Sequence, residues 1–405
     1  MKLKFITETE YDNYLEGKQN ISIQMRSGMK KMLEKTGWTC HYLGLVDNDE
    51  VVGAAILSGK PMKFAGMFYT CQYGPHLDYT NSSVVEAFFG QLPQLLKGIG
   101  TSKFEFNPNL VWKQYTPSGE QTNKFEYPNL KVLEELGYVH QDINLNTNGM
   151  WNMRFHYMKN LGSLTKDDLL KSYGSQAKRS VKKAIQNGIE IEELAYDNTK
   201  KMHELMEMSA SKHGFAARDI GYYERANEHL GVNAKYIIAK LDVEKYLSSK
   251  KAEIEDTKSK IDRFVGTKKE KQIPDLERKL NTLEADVEVI ETSNDVVNGE
   301  IIMSAGVFLI NGPELIYLFG GNNGDYQKFC SSFALQHYVM QMGIDLGIEE
   351  YNMYGIDGTF DGTDSVLRFK SSFDGYVNEF VGTYELILNA GKLKRANTIK
   401  KLLRR

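Results

Sequence analysis

Residues 243–264, VEKYLSSKKAEIEDTKSKIDRF, and 273–291, IPDLERKLNTLEADVEVIE, decide the architecture of this 405-residue chain. In the first run Val243, Leu247, Lys250, Ile254, Thr257, Ile261 and Phe264 recur at alternating steps of four and three. Ile273, Leu276, Leu280, Leu283, Val287 and Ile290 do the same in the second. Such spacing lays one stripe of side chains along a helix and describes a seam between two helices. Pro274 stands where a helix opens, so the pattern predicts an antiparallel helical hairpin over 243–293 that leaves a globular body and returns to it. An arm of this kind points to a partner larger than a small substrate. Along its shaft Lys250, Lys251, Lys258 and Lys260 sit beside Glu253, Glu255, Asp256 and Asp262, so the shaft is a poor grip for a polyanion. Lys268, Lys269 and Lys271, at the tip, are the better candidates.

On either side of the arm, strand and helix patterns alternate. His41–Val46 and Val51–Ser58 flank Asp47-Asn48-Asp49, a hairpin signal. A strand near Lys63–Cys71, the turn Tyr73-Gly74-Pro75, a helix over Ser83–Lys97 and a strand over Lys103–Asn107 follow. A second cycle opens at Gly149-Met150-Trp151 and continues with a helix over Lys166–Asn187, a strand Ile189–Ala195 and a helix Lys200–His213. Strands at 234–241, 300–310, 314–320 and 351–355, with a helix over 331–346, complete it. The two cycles share one order of elements, so the reading is α+β with two related domains. Residues 1–148 form the first domain, 149–242 with 294–391 the second, 243–293 the arm and 392–405 a basic tail.

Bulk properties exclude several classes. A hydrophobic content of 41% with 23 Tyr and 19 Phe fills cores and excludes a disordered chain. A net charge of -3 gives no global attraction to nucleic acid, so any such contact comes from local patches. Cys40, Cys71 and Cys330 lie far apart without ligand spacing, which argues against a zinc site or a disulfide framework and for a reducing, cytosolic setting. The sequence shows no signal-peptide apolar region and no run of about 18 apolar residues, so membrane contact is expected to be peripheral at most.

Phosphate loops of the Walker type, nucleophile elbows and His-Glu-x-x-His pairs are absent. In 364–375, DSVLRFKSSFDG, strand alternation would put Arg368 and Lys370 on one face and Phe369 on the other. A cation fixed there could stabilise an oxyanion; solvated strand charge is the alternative. Arg218 and Tyr222, four apart, could face one cleft and hold phosphate or carboxylate, or Arg218 could cap a loop. The cluster Gly320-Gly321-Asn322-Asn323-Gly324 is either a turn with a helix cap or a backbone that approaches a ligand closely. Lys178, Arg179, Lys182 and Lys183 form a basic helical stretch, a solvated face or a phosphate contact. His213 is a lone histidine and more often structural than a base.

Taken in order, a set of these stretches resembles the Fem/MurM family of aminoacyltransferases, which build the interpeptide bridge of bacterial cell-wall precursors from aminoacyl-tRNA. The resemblance is carried by Gln24 with Gly37-Trp38, Tyr73-Gly74-Pro75 with Asp78, and Phe104-Glu105-Phe106-Asn107-Pro108. It continues through Arg179–Ala184 with Gly188-Ile189, Gly214-Phe215 with Arg218 and Tyr222, Leu318–Gly321, and Phe369-Lys370 with Phe373 and Gly375. It implies two acetyltransferase-like (GNAT-type) domains, with the coiled-coil hairpin inserted in the second. It further implies attack by a stem-peptide amine of a lipid-linked peptidoglycan precursor on an aminoacyl-tRNA ester, with no cofactor and no metal.

Within that resemblance Lys370, beside Phe369, takes the catalytic oxyanion-stabilising position. Arg218 and Tyr222 hold the muropeptide, Lys31 or Lys35 supplies a further substrate contact, and Gly320 and Gly321 line the substrate path. From their charge alone, Lys182, Lys183 and the arm-tip lysines are the candidate contacts for the tRNA, and the basic tail is expected to give peripheral contact with the inner leaflet of the membrane. The chain departs from the family's pattern at Asn107, where relatives often carry Asp: an amide cannot serve as a general base. An acyl-CoA-dependent N-acetyltransferase is the competing enzyme, but the pyrophosphate-binding glycine turn it needs is missing. A non-catalytic tRNA-binding adaptor is the competing non-enzyme.

Overall fold

The computed structural model describes residues 1–141, 153–195, 200, 202–204, 206–207 and 218–403. The expected start of the second cycle at Gly149-Met150-Trp151, most of the helix Lys200–His213, and Gly214-Phe215 lie outside them.

In chain order the first half carries β1 (Lys2–Phe5), α1 (Glu8–Leu15), α2 (Ser27–Glu34), β2 (Thr39–Asp47), β3 (Glu50–Met62), β4 (Gly66–Cys71) and β5 (His76–Leu77). Then come α3 (Ser82–Gly98), β6 (Thr101–Phe106), β7 (Val111–Tyr115), β8 (Gln121–Lys124), α4 (Val132–Glu135) and β9 (Val139–His140). Asn48 and Asp49 join β2 to β3 with φ of 47° and 69°, the left-handed pair that a two-residue hairpin turn demands. Thr7 and Glu10 close a capping box on α1.

The second half runs β10 (Phe155–Asn160), α5 (Lys166–Leu169), α6 (Ser175–Gln186), β11 (Ile189–Leu194), α7 (Ile220–Leu230) and β12 (Ala234–Asp242). The arm helices are α8 (Val243–Phe264) and α9 (Ile273–Glu291). After them come β13 (Glu300–Asn311), β14 (Glu314–Asn322), α10 (Ser331–Asp345), β15 (Glu350–Ile356), α11 (Ser365–Ser371), β16 (Tyr376–Phe380), β17 (Tyr384–Ile387) and α12 (Ala390–Leu403). The single helix expected over Lys166–Asn187 is two, because the Gly174 N–H between them is taken by the Ser372 carbonyl at 2.9 Å and Tyr173 turns into the core.

Two sheets result, ordered β1-β2-β3-β4-β6-β17-β9, with β5 on β3, and β11-β12-β13-β14-β15-β10-β16-β7-β8. The expected division at 148/149 is therefore crossed twice: the β7–β8 hairpin joins the second sheet and β17 joins the first. β17 lies between β6 and β9 in the first sheet, and β7 and β8 extend the second beyond β16. Further ties include α2, whose Met29 and Met32 enter a core with Tyr223 and Ile238 of the second half. Gly28 is required at this crossing, since a Cβ there would stand 2.4 Å from the His229 carbonyl oxygen of α7.

The arm interrupts the β12–β13 hairpin: Asp242 pairs with Glu300, and the Val243 N–H reaches the Gly299 carbonyl at 2.9 Å. Its seam buries Ile254, Thr257, Leu283, Val287 and Ile290. Lys251–Glu291, Lys258–Glu284 and Lys279–Glu253 pair across the two helices at 2.6, 3.0 and 2.8 Å. Tyr246 and Ile290 root it in a small core with Leu241, Met303 and Phe329. Among the described residues no helix is long and apolar enough to cross a membrane.

Candidate functional site

Only Glu314–Ile316 of β14 pair with Glu350–Asn352 of β15, in parallel, after which the two strands part. A bulge opposite His156 and Met158 of β10 adds to the opening, and Tyr354 inside it holds a left-handed φ of 64°, costly for a residue with a Cβ. A cleft of about 640 Å³ lies beside this splay. It takes Tyr73, Tyr79 and Arg26 from the first half and His156, Asn311, Glu314, Asn352, Tyr354 and Tyr376 from the second.

Lys370 approaches from one face of the second sheet. Residues 365–371 are a helix and not the expected strand: Asp364 caps it, accepting from the N–H groups of Val366 and Leu367 at 2.7 and 3.0 Å. Positions i and i+3, Leu367 and Lys370, therefore point inward, while Arg368 is exposed. The Lys370 Nζ donates to the carbonyls of Gly355 at 2.7 Å and Tyr354 at 3.3 Å, leaving its third N–H without a protein acceptor among the described residues. Burial lowers its pKa to about 7, partly opposed by Asp364. Phe369 packs edge-on against Phe333 and Phe373, with centroids at 5.0 and 5.5 Å, which anchors the helix.

Arg218 and Tyr222 lie on the opposite face. The guanidinium stands 5.5 Å from the Tyr222 ring, which also packs on Phe319 at 5.8 Å. Burial pushes the Tyr222 hydroxyl up to about 12, with Arg218 opposing the shift and Tyr354 adding to it. Tyr354 is thus the meeting point: its carbonyl holds Lys370, and its hydroxyl lies within the electrostatic reach of Tyr73, Gln24 and Arg218. The parting of β14 from β15 lets residues from both faces converge.

Other expected residues fall elsewhere. Lys31 pairs with Glu8 at 2.5 Å, and Lys35 reaches Glu228 of α7 at 3.7 Å; neither lines the cleft, and neither do Lys370, Arg218 and Tyr222, which approach it only through Tyr354. Gly320 and Gly321 sit within β14, where a Cβ on Gly320 would meet the Tyr317 hydroxyl at 2.3 Å, so close packing accounts for that glycine and the expected turn begins only at Asn323. Lys182 and Lys183 are exposed on α6 with Arg179, and no acidic partner faces them among the described residues. At the arm tip Lys269 lies 5.1 Å from the Phe264 ring, and Lys268 and Lys271 are exposed. His213 lies outside the described residues. Asn107 is buried and its Oδ1 accepts the Tyr73 N–H at 3.2 Å, so the departure from Asp leaves an amide that props the Tyr73 loop.

Sequence reading missed His156, Asn352 and Glu314, and gave Tyr73, quoted for its turn and for the resemblance, no role in the site. Asn352 donates through Nδ2 to Glu314 Oε1 at 2.8 Å and to His156 Nδ1 at 3.2 Å, and the Tyr73 hydroxyl meets His156 Nε2 at 3.0 Å and the Met153 carbonyl at 3.1 Å. Burial and, second, the charge of Lys370 hold His156 down to about 3, so the ring is neutral. Among the described residues no group of three or more His, Cys, Asp or Glu could hold a metal.

A site of this kind, a buried cation at a splayed strand pair in one of two linked sheets, is what an acyl-transferring enzyme built from acetyltransferase-like domains presents. Residues 6–401 match the FemAB family model, and the chain belongs to the FemAB family of aminoacyltransferases. It is 28% identical over 420 residues to the aminoacyltransferase FemA of Staphylococcus epidermidis, covering 99% of this chain and all of that one. It is 23% identical over 415 residues to that of Staphylococcus aureus strain MRSA252, with 99% of each covered. Among solved structures, FemX superposes over the whole of both chains with a TM-score of 0.72 and 21% identity. A tandem GNAT protein from the clavulanic acid pathway superposes over 96% of this chain and all of its own with a TM-score of 0.50 and 9% identity, a likeness of fold alone.

Proposed function

We propose that this enzyme moves an amino acid, alanine, serine or glycine, from aminoacyl-tRNA to the stem-peptide amine of a lipid-linked peptidoglycan precursor, extending the interpeptide bridge. The observation that carries this reading is the buried Lys370 ammonium, held with one donor to spare by the carbonyls of Gly355 and of Tyr354, a residue that itself lines the cleft between the two halves although Lys370 does not. The acceptor amine attacks the ester carbonyl carbon and an N–C bond forms. Lys370 donates to the oxyanion, the C–O bond to the ribose breaks, and the amine's proton ends on the ribose oxygen. The ester is already activated, so positioning and charge stabilisation suffice without a general base at Asn107. Arg218 and Tyr222 fit the phosphates or stem of the precursor. The exposed cations of α6 and the arm tip fit the tRNA backbone.

Transfer from individually charged tRNAs to purified lipid-linked precursor, with and without a first bridge residue, tests the reading. Label is expected in the precursor from one tRNA species; no transfer from any of them would sink it. An acyl-CoA N-acetyltransferase would instead bind acetyl-CoA in calorimetry.

The enzyme would work in the cytoplasm against the inner leaflet. The expected basic tail is the helix α12, on which Lys392, Lys394, Arg395 and Lys401 are exposed together with Ile399 and Leu402. Each cation near an anionic surface adds roughly 1 kcal/mol. Replacing the four by Gln is therefore expected to cut co-sedimentation with anionic vesicles at least about tenfold; unchanged sedimentation would remove membrane contact from this helix.

A further inference from the structure

We propose that Asn352 is the positioning residue of this site, holding Lys370 through the backbone of Tyr354 and holding His156 through its ring. The inference rests on the transferase reading and adds a residue to it.

The Asn352 side chain is buried, and its polar valences are used in one arrangement only. The Tyr354 N–H, 2.8 Å away, must meet the carbonyl end of the amide, so Oδ1 faces it and Nδ2 faces the other two partners. Of the two Nδ2 protons, one goes to Glu314 and one to His156 Nδ1. His156 Nδ1 is then an acceptor, the ring proton sits on Nε2, and Nε2–H donates to the Tyr73 hydroxyl. One amide thus sets the tautomer of a neutral imidazole.

The same amide supports the strained residue that bears on Lys370. Tyr354 holds its φ of 64° with its N–H fixed by Asn352, and in that conformation its carbonyl and that of Gly355 accept from Lys370. Groups whose charge bears on the Lys370 ammonium are Asp364, at the cap of its own helix, and His156 on β10. A charged imidazole beside it would oppose the ammonium on which the oxyanion depends; Asn352, by donating to Nδ1, keeps that ring from taking a second proton. A buried asparagine could also serve the fold alone, and the test must separate the two roles.

Asn352→Asp keeps the acceptor for Tyr354 but turns a donor into a carboxylate toward His156 and Glu314. Combined with Glu314→Gln, a donor returns across the 2.8 Å contact, so folding is restored while His156 Nδ1 still faces the carboxylate. In the wild type, ¹⁵N spectra of histidine are expected to show His156 protonated on Nε2. In the double variant the new carboxylate holds a proton on Nδ1 while Nε2 keeps its own, so the ring charges beside Lys370, kcat falls about tenfold with both KM values within about twofold, and the alkaline limb of kcat/KM, set by loss of the Lys370 proton, moves down by at least about one pH unit. A merely structural role would move the unfolding midpoint and leave ring protonation and limb in place. A double variant with the wild-type ring protonation, kcat and limb overturns the proposal while the transferase reading stands. A wild type that transfers nothing overturns both.

Discussion

Lys370→Met is expected to lower the transfer rate by about 10²–10³-fold, the loss seen when one donor to an oxyanion is removed. KM for both substrates should stay within about twofold, because Lys370 is buried against the Tyr354 and Gly355 carbonyls and reaches the substrate only where negative charge develops. The fold should not suffer. A buried ammonium carries a desolvation cost that an unbranched apolar chain of similar length avoids, so the unfolding midpoint of the variant at pH 6 should equal or exceed that of the wild type. The pH dependence supplies a second check. Folded Lys370 gives up its proton at about 7 and the unfolded chain near its ordinary 10.5, so between those values the unfolded state binds more protons and wild-type stability climbs with pH. Lys370→Met should lose that climb. It should keep the acid-side behaviour of His156, which is neutral when folded down to about 3 and protonates near 6.5 when unfolded, so stability falls as pH drops below 6.5. Rates within about threefold of wild type would remove Lys370 from the oxyanion role.

The arm was legible because a heptad seam is a local pattern: seven positions in one run and six in the next announce two helices before any fold is known. The Asn48-Asp49 turn was legible for the same reason. Lys370 was singled out by the Phe369-Lys370 pair and placed on a strand, since period-two alternation of charge outweighed the cap at Asp364 and the i, i+3 pair Leu367 and Lys370 that mark a short helix. Non-local facts were beyond reach. Asn352, His156 and Glu314 come together across up to 196 residues of chain, and nothing in their local sequence announces it. Likewise β7, β8 and β17 were not anticipated as strands, β8 being the wholly exposed Gln121–Lys124, and only the pairing reveals that each half completes the other's sheet.

Replacing Lys268, Lys269 and Lys271 with Ala is expected to raise KM for aminoacyl-tRNA by about 10–100-fold at 0.15 M salt, with kcat and the precursor KM unchanged. The magnitude follows from counterion release: each phosphate contact contributes a slope of about 0.7–0.9 in the dependence of log affinity on log salt, so up to three lost contacts flatten that slope by about 2 to 3. The shaft cannot compensate. Its lysines are committed within the arm, Lys251 to Glu291, Lys258 to Glu284, Lys260 to Asp256 and Lys279 to Glu253, whereas no carboxylate faces Lys268 or Lys271 among the described residues. Structure should be untouched, because the tip lies beyond the buried Ile254, Leu283 and Val287 and far from the root at Tyr246 and Ile290. Lys182→Ala with Lys183→Ala provides the contrast, since α6 packs on the body against α10 rather than on the arm. If the tip variant keeps the wild-type slope and the α6 variant loses it, the RNA lies on the body and the arm serves another partner. If both lose slope additively, one nucleic acid spans from α6 to the tip of the hairpin.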